Sequence, residues 1–140
     1  MTLIVDAGPL IALLDRDDQR WPAVRQILRN EPGHLVLPAP VSAEVDYLAF
    51  RRLGRHAQRA YYTDLASGRF RVECLNAADY EVLRLYDRQY NDLELGLADI
   101  SIVILARRFD TRRILTFDER HFRALRSLDG GSFVLLPSDA

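Results

Sequence analysis

Two short apolar segments of this chain each end at a carboxylate. Residues 3–5 are Leu, Ile and Val and precede Asp6, and the mostly apolar residues 114–117 precede Asp118. Short apolar runs are typical of strands buried on both faces, as in parallel sheets covered by helices. The carboxyl ends of such strands lie at one edge of the sheet, where neighbouring loops part and open a crevice. The sequence therefore predicts that Asp6 and Asp118 meet at that edge.

The rest of the chain alternates between strand and helix patterns. Predicted strands cover residues 2–6, 34–37, 70–75, 113–117 and 132–136, and predicted helices cover residues 10–14, 18–30, 40–53, 54–67, 77–90, 95–108 and 120–125. Strands that alternate with helices predict an α/β fold with a mostly parallel central sheet flanked by helices. A length of 140 residues with 49% hydrophobic residues suits one core, so we expect a single domain over residues 1–140.

Two further acids interrupt the apolar patterns of helices. Glu44 lies among the apolar positions of the helix predicted at 40–53, and Asp99 lies in segment 95–108, which is apolar on nearly all sides. An ionised carboxylate removed from water is normally paired, protonated or bound to a metal. We therefore expect Asp6, Glu44, Asp99 and Asp118 to form one buried acidic cluster with a cation as its partner.

Other interpretations of these acids remain open at this stage. Asp6 and Asp118 could be turn residues or helix caps, Glu44 could be a solvated helix residue, and Asp99 could form a buried ion pair with an arginine. Asp46 and Glu119 are neighbours that could replace Glu44 and Asp118 in the cluster. Each alternative predicts a different partner for the carboxylate concerned.

The composition excludes several other chemistries. The three histidines lack metal-ligand spacing and Cys74 is the only cysteine, so zinc and an intrachain disulfide are not expected. All 19 basic residues are arginine, which disfavours acid–base catalysis by His with Lys and phosphoryl transfer to an Asp opposite a Lys. The net charge is −1, and the chain without its four cluster acids carries +3.

Four segments of the chain resemble the PIN-domain ribonucleases, and most closely the toxin subunits of VapBC toxin–antitoxin pairs. They are Ile4-Val5-Asp6-Ala7-Gly8-Pro9-Leu10, Val41-Ser42-Ala43-Glu44-Val45, Leu97-Ala98-Asp99-Ile100-Ser101-Ile102 and Leu115-Thr116-Phe117-Asp118-Glu119-Arg120-His121-Phe122. The four occur in the family's order and extend over the whole chain. The resemblance implies a PIN-like fold of three layers.

The resemblance also implies a function. It implies a divalent-metal-dependent endoribonuclease toxin in which the four cluster acids bind Mg²⁺ or Mn²⁺, Thr116 holds a carboxylate or water from the side, and a cognate antitoxin is the partner. Hard oxygen ligands suit both ions. The alternatives are a catalytically inactive PIN-like module that binds RNA or protein and a nuclease directed at branched DNA, for which 140 residues leave little room.

An arginine-rich segment follows the second acidic motif. It contains Arg51, Arg52, Arg55 and Arg59, and no acid lies between Tyr47 and Asp64. At helical spacing, the first, third and fourth of these arginines share a face that begins near Glu44. The pattern predicts an RNA-backbone contact, or alternatively a solvated face or a surface for the antitoxin.

The expected location of the protein is the cytoplasm. No apolar segment approaches the length of about 20 residues that spans a bilayer, and the single cysteine suits a reducing compartment. The N-terminal residues enter a strand without a basic leader or a small-residue cleavage site. An exposed apolar helix pair would suit a homodimer.

Overall fold

Five short strands form one sheet in which every neighbouring pair is parallel. The computed structural model describes residues 1–140, with β1 at Thr2–Val5, β2 at His34–Pro38, β3 at Arg71–Glu73, β4 at Arg113–Leu115 and β5 at Val134–Leu136. Their order is β3-β2-β1-β4-β5. All four residues of the central strand β1 are buried, as an apolar run covered on both faces requires.

Seven α-helices connect and cover these strands. They are α1 at Ala7–Leu13, α2 at Trp21–Asn30, α3 at Ala39–Leu53, α4 at Arg55–Ala66, α5 at Ala77–Gln89, α6 at Leu97–Arg108 and α7 at Glu119–Ala124, with a short 3₁₀ helix at Asn91–Leu93. The predicted α/β class is confirmed. The sheet is entirely parallel, whereas the sequence predicted a mostly parallel one.

The most apolar helix is also the most deeply buried. Residues 100–106 of α6 are all buried, and the helix packs against β1, β2 and β4 and against α3 and α5. It begins at Leu97 and not at the predicted residue 95, because Gly96 is extended and donates its N–H to Asp99 Oδ2 at 2.9 Å. The carboxylate thus satisfies a backbone donor that the first helical turn leaves free.

The strand order reverses between β1 and β4, which is where parallel sheets open a crevice. Val5 is in register with Leu115, and the Asp6 N–H donates to the Leu115 carbonyl oxygen at 2.9 Å. The chain leaves β1 through Asp6 and leaves β4 through Thr116. Asp6 and Asp118, which were predicted to meet at the sheet edge, therefore follow two adjacent strands.

Other differences from the predicted boundaries have local causes. The edge strands at 70–75 and 132–136 shorten to Arg71–Glu73 and Val134–Leu136. The helix predicted from residue 18 begins at Trp21, since the Asp18 carboxylate accepts the N–H of Arg20 in the preceding turn. No helix in the structure is long and apolar enough to cross a membrane.

Candidate active site

A pocket of about 340 Å³ lies at the crevice beside β1 and β4. Its walls contain all four predicted acids, Asp6, Glu44, Asp99 and Asp118, together with Arg52. The remaining lining residues are Ala7, Gly8, Ile11, Leu48 and Phe117. The predicted convergence of four acids from distant parts of the chain is therefore what the structure has.

Asp6 is the innermost of the acids and is only 8% exposed. Its Oδ1 accepts the Ala7 N–H at 2.8 Å, so Asp6 caps α1, and its Oδ2 accepts the Thr116 hydroxyl at 2.7 Å. Burial raises the pKa of Asp6, and the negative charges of Asp99 and Asp118 raise it further. The interpretation as a helix cap is thus correct, and it coexists with a position in the acidic pocket.

Thr116 links the acids of the two strand ends. Besides donating to Asp6, its Oγ1 accepts the Asp118 N–H at 3.0 Å. Asp118 caps α7 by accepting the His121 N–H at 3.0 Å, and its Oδ2 lies 2.8 Å from His121 Nδ1. Because an ionised carboxylate only accepts hydrogen bonds, the imidazole donates in this contact. The adjacent Glu119 is exposed and pairs with Arg123, so it does not replace Asp118.

Asp99 enters the pocket from the first turn of α6. One carboxylate oxygen accepts the Gly96 N–H, and no arginine lies within ion-pair distance of it. The alternative of a buried arginine pair is therefore wrong for Asp99. Its other oxygen has no protein partner and remains available to a ligand in the pocket.

Glu44 reaches the pocket from α3. Its pKa is raised, first because protein atoms remove part of the water around the carboxyl group and then because Asp6 and Asp99 repel a further negative charge; Arg52 opposes the shift. Asp46 lies on another face of the helix, where it accepts the Gln58 side-chain amide at 2.9 Å. Because the two acids lie on different faces of α3, Glu44 lines the pocket and Asp46 does not.

The cluster is less buried than the sequence predicted. Asp6 alone is buried; Asp99 and Asp118 are half-buried and Glu44 is exposed. An apolar helix pattern indicated burial of Asp99, but its first turn opens into the pocket. The walls admit water, and this lowers the cost of holding four charges together.

The donor set suits a hard divalent cation. All four predicted ligands supply carboxylate oxygen, and Mg²⁺ typically binds one or two carboxylates and keeps several waters. No three His, Cys, Asp or Glu side chains lie close enough together to hold a metal ion by themselves. The pocket therefore suits an ion that keeps several water ligands better than an ion bound only by protein atoms.

The arginine-rich segment is divided by a break between two helices. Arg51 and Arg52 end α3 and Arg55 and Arg59 lie in α4, with Gly54 at φ +93° between them. The premise of one shared helical face is therefore wrong. Arg52 is the member that lines the acidic pocket, and RNA contact by the other three stays a prediction.

Sequence reasoning missed the apolar wall of the pocket. A Cβ on Gly8 would lie 3.1 Å from the Phe117 ring, so glycine permits the ring to close against α1. The Arg20 guanidinium lies 4.0 Å from the centre of the same ring, a cation–π contact. The strand pattern had assigned Phe117 to the sheet, and only the fold shows that it lines the pocket.

Comparison with known proteins identifies the class to which this fold and pocket belong. The PIN domain model matches residues 3–128, and the chain belongs to the PIN domain family. The resemblance predicted from the four motifs is confirmed.

Individual relatives agree with that membership. Ribonuclease VapC26 of Mycobacterium tuberculosis (strain ATCC 25618 / H37Rv) is 37% identical over 135 residues, which cover 96% of this chain and all of that protein. The crystal structure of Mycobacterium tuberculosis VapC20, a toxin that cleaves the sarcin-ricin loop, superimposes with a TM-score of 0.76 at 22% identity and covers 83% of this chain and 89% of that one.

A complex provides a further structural likeness. VapBC2 from Rickettsia felis, bound to a DNA fragment from its promoter, matches with a TM-score of 0.67 at 15% identity, over 96% of this chain and 97% of that chain. At such identities the likeness concerns the fold. The predicted three-layer PIN-like fold is confirmed.

Proposed function

We propose that this protein is an endoribonuclease of the VapC type, the toxin of a type II toxin–antitoxin pair, which hydrolyses RNA phosphodiester bonds with Mg²⁺ or Mn²⁺. The observation that carries the proposal is the convergence of Asp6, Glu44, Asp99 and Asp118 on one pocket. The 37% identity to a ribonuclease over nearly the whole chain supports the substrate class.

The four carboxylates would hold the cation. A bound divalent ion lowers the pKa of its water and offsets charge that develops on the phosphate. Asp6 and Asp118 start from adjacent strands, and Asp99 presents a free oxygen from α6. Glu44 comes from α3, so the ligands would approach the ion from separate elements.

Other residues prepare the pocket for this role. Thr116 fixes Asp6 by donating to Oδ2 and fixes Asp118 through its backbone N–H. His121 holds the second carboxylate oxygen of Asp118. Arg52 is the one cation lining a pocket of four acids, and we assign it to the phosphate of the bound RNA, which needs positive charge to approach.

The assembly proposed for the protein follows from its surface. Tyr47 and Phe50 on α3 and Leu97 on α6 are 61%, 50% and 48% exposed, although Phe and Leu are among the residues most often buried. We propose that a cognate antitoxin covers these side chains in the cytoplasm, and that a second copy of the chain is the competing occupant. Co-expression with the antitoxin, followed by light scattering of the free and bound protein, distinguishes the two.

The alternative is a PIN-like module that binds RNA or protein without cleaving it. Purified protein incubated with total RNA should generate new RNA ends in Mg²⁺ or Mn²⁺ and none in EDTA, and mapping of those ends gives the target. Asp99→Asn, purified in the same way, controls for contaminating nuclease. Cleavage that persists equally in EDTA, or in the variant, contradicts the proposal, and RNA binding without cleavage identifies the inactive module.

A further inference from the structure

A second and larger pocket lies at the other end of α1. It measures about 710 Å³ and is formed by the end of α1, the α1–α2 loop, α2, α4 and the segment that follows α4. Its lining includes Arg16, Arg25, Arg29 and Arg69, with Asp64 as the one carboxylate. We call it the basic pocket. It shares no residue with the acidic pocket.

The guanidinium groups of the basic pocket have no carboxylate partner. Six arginines elsewhere form ion pairs, including Arg108 with Asp79 and Arg113 with Glu31. None of the four arginines in the basic pocket takes part in any ion pair, not even with Asp64. Several unpaired cations around a concave surface concentrate positive potential and attract anions.

An aromatic ring lies among these charges. Trp21 is half-buried, and its Nε1–H donates to the Leu13 carbonyl oxygen at 3.1 Å, which fixes the indole. The guanidinium carbons of Arg16 and Arg25 lie 5.7 and 5.3 Å from the ring centre. Guanidinium forks beside a π-face are the groups with which proteins contact single-stranded nucleic acid.

The basic pocket is connected to the acidic one by the α1–α2 loop. Arg16, early in this loop, lines the basic pocket, and Arg20, at its end, lies over the Phe117 ring of the acidic pocket. Asp6 caps the start of helix α1, and Leu13 at the end of the helix lines the basic pocket. The seven residues of α1 extend over about 10 Å, a distance that a few nucleotides can span.

We propose that the basic pocket binds the phosphate backbone of the RNA a few nucleotides away from the acidic pocket, so that it positions the substrate for cleavage. This inference rests on the proposed ribonuclease function. RNA is favoured over an acidic peptide because the site combines guanidinium forks with an aromatic ring. A second groove, lined by Trp21, Arg25 and Arg29, continues along α2 and suits an extended polymer.

The test measures RNA binding separately from cleavage. The probe is a fluorescently labelled single-stranded RNA oligonucleotide of mixed sequence, titrated in EDTA with protein that carries Asp99→Asn, at several salt concentrations. Arg25→Gln with Arg29→Gln should lower the affinity and reduce the slope of log K against log salt by about 1.4, because each lost phosphate contact on a single strand contributes about 0.7.

A matched control is available on α5. Arg84 and Arg88 are exposed, have the same spacing of four residues, and line neither pocket, although Arg84 pairs with Glu81. Arg84→Gln with Arg88→Gln removes the same charge and should leave affinity and slope unchanged. If both double variants lower the RNA affinity and the salt slope equally, the loss comes from the change in net charge and the proposal is wrong.

Trp21 provides a second measurement, since it is the only tryptophan in the chain. RNA should change its fluorescence in parallel with the labelled signal, and an unchanged emission at saturating RNA would place the RNA elsewhere. Poly-L-glutamate tests the competing ligand. If Arg25→Gln with Arg29→Gln weakens binding of that polymer but leaves RNA affinity and slope intact, the basic pocket binds an acidic protein segment and the proposal is overturned.

The two proposals fail in different ways. If the ribonuclease proposal is wrong, the wild type does not cleave RNA, but RNA still binds and its affinity still depends on Arg25 and Arg29. Failure of the basic-pocket proposal leaves cleavage intact and binding insensitive to Arg25 and Arg29.

Discussion

The acidic and basic pockets lie at opposite ends of α1 and are built differently. The acids arise from four separate elements, and Asp6, Asp99 and Asp118 are held by backbone or side-chain hydrogen bonds. The arginines of the basic pocket extend from the surface without carboxylate partners. Fixed ligands suit an ion that demands defined geometry, whereas unpaired, exposed guanidinium groups suit a polymer that arrives in many conformations.

The opposite charges of the pockets have a joint consequence. Four carboxylates repel a phosphate, so the charges of the acidic pocket alone would keep RNA away from it. A cation, Arg52 and the basic pocket would each reverse that repulsion at a different distance. Variants that change one pocket and leave the other intact can separate these contributions.

The largest effect on the acidic pocket is expected from Thr116→Val, which keeps the shape of the side chain but removes the hydroxyl. Asp6 then loses a donor and the Asp118 N–H loses an acceptor. We expect Mg²⁺ affinity to fall about 10- to 100-fold and stability to fall by about 1–3 kcal/mol. Calorimetric Mg²⁺ titration and thermal melting measure the two effects. Thr116→Ser should restore most of both, and a valine variant that matches the wild type would show that Thr116 positions neither acid.

An intermediate effect is expected at Arg52 in the wall of the acidic pocket. Arg52→Gln removes the one cation of the acidic pocket, and we expect RNA cleavage, measured as kcat/KM, to fall about tenfold, as for loss of one charge-assisted hydrogen bond. Arg88→Gln on α5 is the control. Equal activities for the two variants would assign Arg52 to the solvated surface.

The smallest effect concerns the repulsion within the acidic pocket. The pKa of Glu44 is raised, so the folded protein binds more protons than the unfolded chain. This destabilisation is absent below the unfolded pKa near 4.5, and it grows as pH rises through the folded value. Glu44→Gln should therefore raise the melting temperature in EDTA above that window. Since Glu44 is exposed, the gain should stay below about 1 kcal/mol, or at most about 4 °C.

A control of opposite sign exists for that measurement. The hydrogen bond from Arg84 lowers the pKa of Glu81, so Glu81→Gln should not stabilise the protein at neutral pH. Melting temperatures of both variants and the wild type, recorded in EDTA from about pH 4 to pH 8, provide the comparison. A lower melting temperature for Glu44→Gln across this range would mean that Glu44 is a stabilising residue and not one strained by its neighbours.

Much of the acidic pocket could be predicted from the sequence, because its signals are local. A strand that ends in an acid places that acid at the sheet edge, and Asp6 and Asp118 followed from this rule. An acid in an apolar helix needs a polar partner, and this requirement predicted that Asp99 belongs to the acidic cluster. The burial of Asp99 was overestimated, since a pattern of residues does not show where the first turn of a helix opens to water.

The sequence by itself determined the elements, their parallel arrangement and the edge at which the acids meet, since periodicity records which face of each element is apolar. The tertiary structure decided which neighbour faces the pocket: Glu44 and not Asp46, Asp118 and not Glu119, Arg52 and not Arg51. It alone assembled the basic pocket, in which residues from the α1–α2 loop, α2 and α4 meet. The physical reason is that a pattern along one element fixes its own orientation to the core but carries no information on which element packs beside it.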